Sequence, residues 1–129
     1  MSDSTALPRG LRTLLVPAPD LTRAKDWYAQ AFGVAPYFDE PFYVGFNIGG
    51  FELGLVPDAP VASLPSGTVG YWGVDDAAAA HARLIALGAR EHEAPHEVGG
   101  GIVVASVVDP FGNIIGLIFN PHFDPAAVR

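Results

Sequence analysis

The sequence predicts an α+β domain assembled from two similar halves, each running strand, helix, then strands. Three observations carry this prediction: two segments with apolar residues spaced three and four apart, pairs of strand-like runs joined by turn residues, and a repeat offset by 56 residues. Leu11–Ala18 is a short apolar run bounded by Pro17 and Pro19, as expected of a first strand. Asp20 then offers a helix N-cap, and Ala24, Trp27, Tyr28, Ala31 and Phe32 share one helical face before Gly33 supplies a stop. Phe42–Ile48 and Phe51–Val56, separated by Gly49-Gly50, read as a hairpin. On the second strand, Glu52 faces opposite to Phe51, Leu53 and Leu55, which are expected to pack on the helix.

The Pro- and Ser-rich stretch Pro57–Gly67 reads as a linker, after which the order begins again. Thr68–Val74 is a strand, Asp75 or Asp76 caps an Ala-rich helix with Ala77, Ala80, Leu84 and Leu87 on one face, and Gly88 ends it. Gly101–Val108 and Ile114–Phe119 flank the turn Asp109-Pro110-Phe111-Gly112-Asn113. A shift of 56 residues carries Asp20 onto Asp76, Ala24 onto Ala80, Tyr28 onto Leu84 and Ala31 onto Leu87. Two copies of so long a repeat indicate half-domains packed side by side around a cleft, since a solenoid needs about three or more. The expected division is a first module over about 8–57, a linker over about 58–66 and a second module over about 67–122, within one domain covering 1–129.

Composition narrows function. At 129 residues, half of them hydrophobic, the chain suits one core. Its apolar runs fall well short of the roughly 20 residues that cross a bilayer. The polar first ten residues lack a signal-peptide pattern, so the cytoplasm is the expected location. A net charge of −7 argues against nucleic acid and anionic membrane surfaces as partners. With no cysteine, chemistry falls to His, carboxylate, hydroxyl or backbone groups.

Pro19-Asp20-Leu21 leading to Trp27-Tyr28 and Gly33, Val74-Asp75-Asp76 leading to Leu87-Gly88-Ala89, and the turn Asp109–Asn113 together resemble the vicinal oxygen chelate superfamily, which includes glyoxalase I, extradiol dioxygenases and bleomycin-resistance proteins. The resemblance covers nearly the whole chain. It implies two tandem βαβββ modules whose sheets form a half-open curved barrel around a small-molecule cleft, often in homodimers. In metal-using relatives each module offers one ligand early in its first strand and another in its last, commonly His and Glu. Counting from Asp20 and Val74 places the first-strand positions at Thr13 and Val69, and the last-strand positions fall on Glu52 and Gly116. Only Glu52 is a metal donor of the expected kind, so the reading is of a protein with no metal and no cofactor.

Glu52, Thr13, Tyr43, Val69, Tyr71 and Gly116 are the candidate site. If the cleft walls desolvated Glu52, its pKa would rise and it would serve as a general base in a lyase or isomerase acting on a small carbonyl compound, with Tyr or backbone N–H groups holding an enolate oxygen. The alternative is sequestration, in which an acidic, aromatic-lined cleft binds a cationic aromatic drug or metabolite without chemistry. A lower third is a module that binds a partner protein through its sheet edges. Tyr43 and Tyr71 supply flat apolar faces with polar tips, while Trp27 and Trp72 are expected in the core. His92-Glu93-Ala94-Pro95-His96 matches the zinc-peptidase pattern H-E-x-x-H, but Pro95 and the flanking glycines deny it a helix. It is expected to be a solvated loop, and the run Gly99-Gly100-Gly101 would allow it to move as a lid with its His residues at the cleft mouth.

Overall fold

The computed structural model describes residues 11–58 and 69–127. The linker reading lies, from residue 59 to its end, outside the described residues, as does Thr68. The first module contains β1 (Thr13–Pro17), α1 (Leu21–Phe32), β2 (Phe38–Glu40), β3 (Tyr43–Ile48) and β4 (Phe51–Val56). The second contains β5 (Tyr71–Gly73), α2 (Ala77–Ala86), β6 (Arg90–Gly99), β7 (Ile102–Val108) and β8 (Ile114–Phe119), so both are βαβββ units. The four-stranded sheets are ordered β1-β4-β3-β2 and β5-β8-β7-β6, and in each the first strand pairs parallel to the last. They are curved and do not close into a barrel.

The helix signals act as expected. Asp20 accepts from the Arg23 N–H at 3.2 Å and Asp76 from the Ala79 N–H at 3.0 Å, each satisfying a donor that the first helical turn cannot. Gly33 ends α1 at φ 69°, a conformation in which a side chain would be strained. Ala24, Tyr28 and Ala31 of α1 and Ala77 and Leu84 of α2 are buried, with Trp27, Phe32, Ala80 and Leu87 half-buried against the same core. That core is continuous across the modules, because Val16, Phe46, Leu53 and Leu55 join Val107, Ile115 and Leu117 in one apolar cluster.

Polar contacts fasten the modules on the helix side. Tyr28, buried in α1, donates its hydroxyl to Asp109 in the turn before β8. Burial, reinforced by the Asp109 carboxylate, raises the Tyr28 pKa well above its ordinary value. Asp109 also accepts from the Phe111 and Asn113 N–H groups, both at 2.8 Å, and Asn113 Nδ2 donates to the Pro17 carbonyl at 2.8 Å. Arg83 donates to the carbonyls of Ala31 and Gln30, placing a cation where the end of α1 has unpaired acceptors. Trp27 Nε1 donates to the Leu87 carbonyl at 2.8 Å, closing the seam from α1 to the end of α2.

Two strands differ from expectation. Phe38–Glu40 forms the edge strand β2, too short and exposed to show an alternating pattern. The segment read as a mobile loop is β6, and Gly99-Gly100-Gly101 turns it into its partner β7 instead of hinging a lid. As an outer strand paired only with β7, β6 is exposed along most of its length and carries no apolar alternation. Its register breaks between Glu93 and His96, which accommodates Pro95 where no ladder N–H is required. Among the described residues no helix is long and apolar enough to cross a membrane.

Removing the Tyr28 hydroxyl tests the seam. Tyr28→Phe should lower unfolding free energy by about 1.5–3 kcal/mol, the range for a hydrogen bond to a charged group, read as a reduced urea midpoint. Asp109→Ala should lower it further, since it strands the Tyr28 hydroxyl and two backbone N–H groups.

Candidate functional site

Glu52 sits on β4 directly opposite Thr13 of β1 and Asn47 of β3. Leu53 and Leu55 of the same strand are buried, which directs Glu52 to the other, concave face of the sheet. There Glu52 Oε1 accepts from the Thr13 hydroxyl at 2.6 Å and the Tyr43 hydroxyl at 2.5 Å, while Oε2 accepts from the Tyr37 hydroxyl. Three converging O–H donors fill most of a carboxylate's roughly four acceptor positions. Those hydrogen bonds, Thr13's foremost, then Tyr37's and Tyr43's, favour the ionised form and hold the Glu52 pKa below its ordinary value despite some desolvation. The phenols shift the other way: Tyr43 is raised by burial and then by Glu52, Tyr37 mainly by its hydrogen bond to Glu52.

Glycines make the arrangement possible. A side chain at Gly45 would put a Cβ 2.8 Å from Glu52 Oε2 and 3.2 Å from the Tyr37 ring, and one at Gly54 would overlap Tyr43. Each lies mid-strand, where glycine otherwise weakens a sheet, and each yields the space a tyrosine needs to reach across to Glu52. Beside the cluster lies a cleft of about 360 Å³. It is lined by Arg12, Thr13, Tyr37, Asn47, Gly50, Phe51 and Glu52.

Of the residues expected in the site, the structure brings Thr13, Tyr43 and Glu52 together and adds Tyr37, Asn47 and Arg12, which sequence reasoning missed. Gly45 and Gly54 were the available signal, since a mid-strand glycine marks close approach of another group. Tyr71 and Gly116 form a separate pair in the second sheet, where a Cβ on Gly116 would lie 2.7 Å from the Tyr71 ring. Gly116 pairs with Tyr71, and Val69 is half-buried. Phe51, expected on the helix side, is half-buried and lines the cleft. His92 and His96 lie on β6, bonded through Nδ1 to the Ser106 hydroxyl and the Ala94 carbonyl respectively, each at 2.8 Å, and neither lines this cleft.

Paired βαβββ modules with a concave polar site define a class of protein, and the comparisons identify it. Residues 10–117 match the model of the Glyoxalase/Bleomycin resistance protein/Dioxygenase superfamily, and the chain belongs to that superfamily. Among solved structures it is similar to a lactoylglutathione lyase from Agrobacterium tumefaciens, at 22% identity and TM-score 0.72, covering 92% of this chain and 100% of that one. It is also similar to a glyoxalase-related enzyme from Fulvimarina pelagi, at 24% identity and TM-score 0.71, covering 88% and 90%. A bleomycin resistance determinant encoded on the transposon Tn5 aligns at 21% identity and TM-score 0.63, covering 87% and 98%. No curated protein matches the sequence.

The metal that the resemblance associates with such sites does not fit the side chains present. A divalent transition ion in a nitrogen and oxygen site takes three or four protein ligands. Here both Glu52 oxygens already accept hydroxyl protons, and neither Val69 nor Gly116 has a side-chain donor atom. Among the described residues no three His, Cys, Asp or Glu side chains cluster to hold an ion.

The geometry differs from the desolvated Glu52 on which the general-base expectation is conditional. Hydrogen bonds from Thr13, Tyr37 and Tyr43 favour the charged form of Glu52 in place of a raised pKa, and both tyrosine hydroxyls donate to it. In NMR titration Glu52 should ionise below the ordinary carboxylate range, and Tyr43→Phe or Gly54→Ala should each move that transition upward. Because the folded value lies below the unfolded one, the stability Glu52 contributes is fully present above the ordinary carboxylate range and is lost as pH falls through the depressed value. The acid limb of an unfolding-versus-pH profile should therefore be shallower in Tyr43→Phe.

Proposed function

We propose that the chain binds a cationic aromatic small molecule in the concave cleft beside Glu52, as a sequestering or carrier protein and not as a proton-transfer catalyst. The observation that supports this most directly is the direction of the hydrogen bonds at Glu52. Thr13, Tyr37 and Tyr43 each spend their single hydroxyl proton on the carboxylate, so their remaining capacity toward a ligand is as acceptors. One wall thus presents acceptor oxygens around a fixed negative charge, a surface that rewards N–H donors and positive charge. Tyr37 and Phe51 add aromatic rings able to contact a planar body or a cation. The similarity to a bleomycin resistance determinant is in keeping with this, although at 21% identity it speaks for the fold alone.

The proposal includes pairing of two copies. Leu15 and Tyr71, 57% and 45% exposed, are apolar surface on the open face, and a second molecule covering them would enclose the cleft. It also places the protein in the cytoplasm.

Thermal-shift and calorimetric titration with tryptamine test the binding claim. Tryptamine should raise the unfolding midpoint, by an amount equivalent to about 2.7 kcal/mol when its free concentration is a hundred times Kd. Glu52→Gln should weaken binding at least about tenfold, and Tyr37→Phe should weaken it less. Failure of tryptamine to bind, together with Glu52-dependent exchange of the α-proton of a small ketone into heavy water, would restore the general-base reading.

A further inference from the structure

We infer that the molecule this cleft takes is a zwitterion with an aromatic body, its ammonium against the Glu52 cluster and its carboxylate against Arg12 and Asn47. This rests on the cation-binding reading of the same cleft and deepens it by naming the second charge.

Two other residues of the lining, Asn47 and Arg12, have the opposite character. Asn47 is paired with Glu52 across the β3–β4 ladder, and its Oδ1 accepts from the Gly50 N–H at 2.8 Å in the two-glycine turn. That bond settles which end of the amide is which: the oxygen is committed to the turn, and Nδ2 is left to donate. Nδ2 makes no hydrogen bond to another described residue. Arg12 lies immediately before β1, where its carbonyl accepts from the Glu52 N–H at 3.0 Å, and it lines the same cleft. Its guanidinium forms no ion pair with Glu52 within 4 Å, so the two opposite charges share one cleft without neutralising each other.

The lining therefore combines acceptors, from Thr13, Tyr37 and Glu52, with donors, from Arg12 and the Asn47 Nδ2 group. A simple cation would satisfy the acceptors but meet Arg12, and a simple anion would satisfy the donors but meet Glu52. A molecule carrying an ammonium and a carboxylate on an aromatic frame satisfies both, with the carboxylate suited to the planar guanidinium and the ring to Tyr37 and Phe51. The chemical class is an aromatic amino acid or a related aromatic amino-carboxylate.

Three probes differing only in charge test the inference: tryptamine, tryptophan and indole-3-propionate, titrated calorimetrically at pH 7 and low salt. Tryptophan should bind at least about tenfold more tightly than tryptamine, with indole-3-propionate weakest. Arg12→Gln should weaken tryptophan and strengthen tryptamine, bringing their affinities together or inverting them, and Arg12→Lys should retain part of the preference because the charge survives without the planar fork. Equal or tighter binding of tryptamine than tryptophan by the wild-type protein would overturn the zwitterion inference while leaving the cation reading intact. Tightest binding by indole-3-propionate, or binding by none of the three, would overturn both.

Discussion

The Asp109 carboxylate is the constraint on which the rest of the molecule depends. A buried carboxylate is tolerable only when its acceptor positions are filled. Here two backbone N–H groups of its own turn, the Asn113 amide and the Tyr28 hydroxyl fill them. The first three shape the turn that sets β7 beside β8, and the fourth reaches from the other module. One residue thereby couples local geometry in module two to the placement of α1. Asn113 extends the coupling to the end of β1, and Arg83 neutralises the exposed carbonyls at the end of α1. Joining the modules through their helices leaves their concave sheet faces free of core packing.

That division of labour explains why the open face can carry polar chemistry. The strands must bury Leu53 and Leu55 on one side, so their alternate residues, Glu52 and Gly54, are released on the other. Glycine at 45 and 54 is a cost in strand stability that yields room for two tyrosines to converge on one carboxylate. The outcome is electrostatic: hydroxyl donors stabilise charge on Glu52 and turn their own lone pairs outward. A group that in isolation suggests acid–base chemistry is instead held by its neighbours toward its charged form.

The same fold occurs in proteins described as a lactoylglutathione lyase and as a bleomycin resistance determinant, at 22% and 21% identity to this chain. Likeness at that level is one of fold, and the chemistry is set by the side chains that each chain places on it. Here Thr13 stands opposite Glu52 and, with Tyr37 and Tyr43, donates a hydrogen bond to its carboxylate.

Both helices with their caps, the hairpin of β3 and β4, the Asp109–Asn113 turn and the doubling of the βαβββ unit were legible in the chain, because each depends on residues within a few positions of one another. Glu52's exit onto the concave face was legible for the same reason, since strand alternation is local. The edge strands β2 and β6 were hidden, because an outer strand has too little buried surface to impose a pattern. The role of Glu52 was decided only by tertiary structure. Thr13 and Tyr37 are 39 and 15 residues away from it along the chain, and the hydrogen bonds they donate reverse the pKa shift that burial alone would produce. Sequence determines which groups can ionise; which charge they keep, and which way their hydrogen bonds point, is decided by the neighbours that folding brings to them.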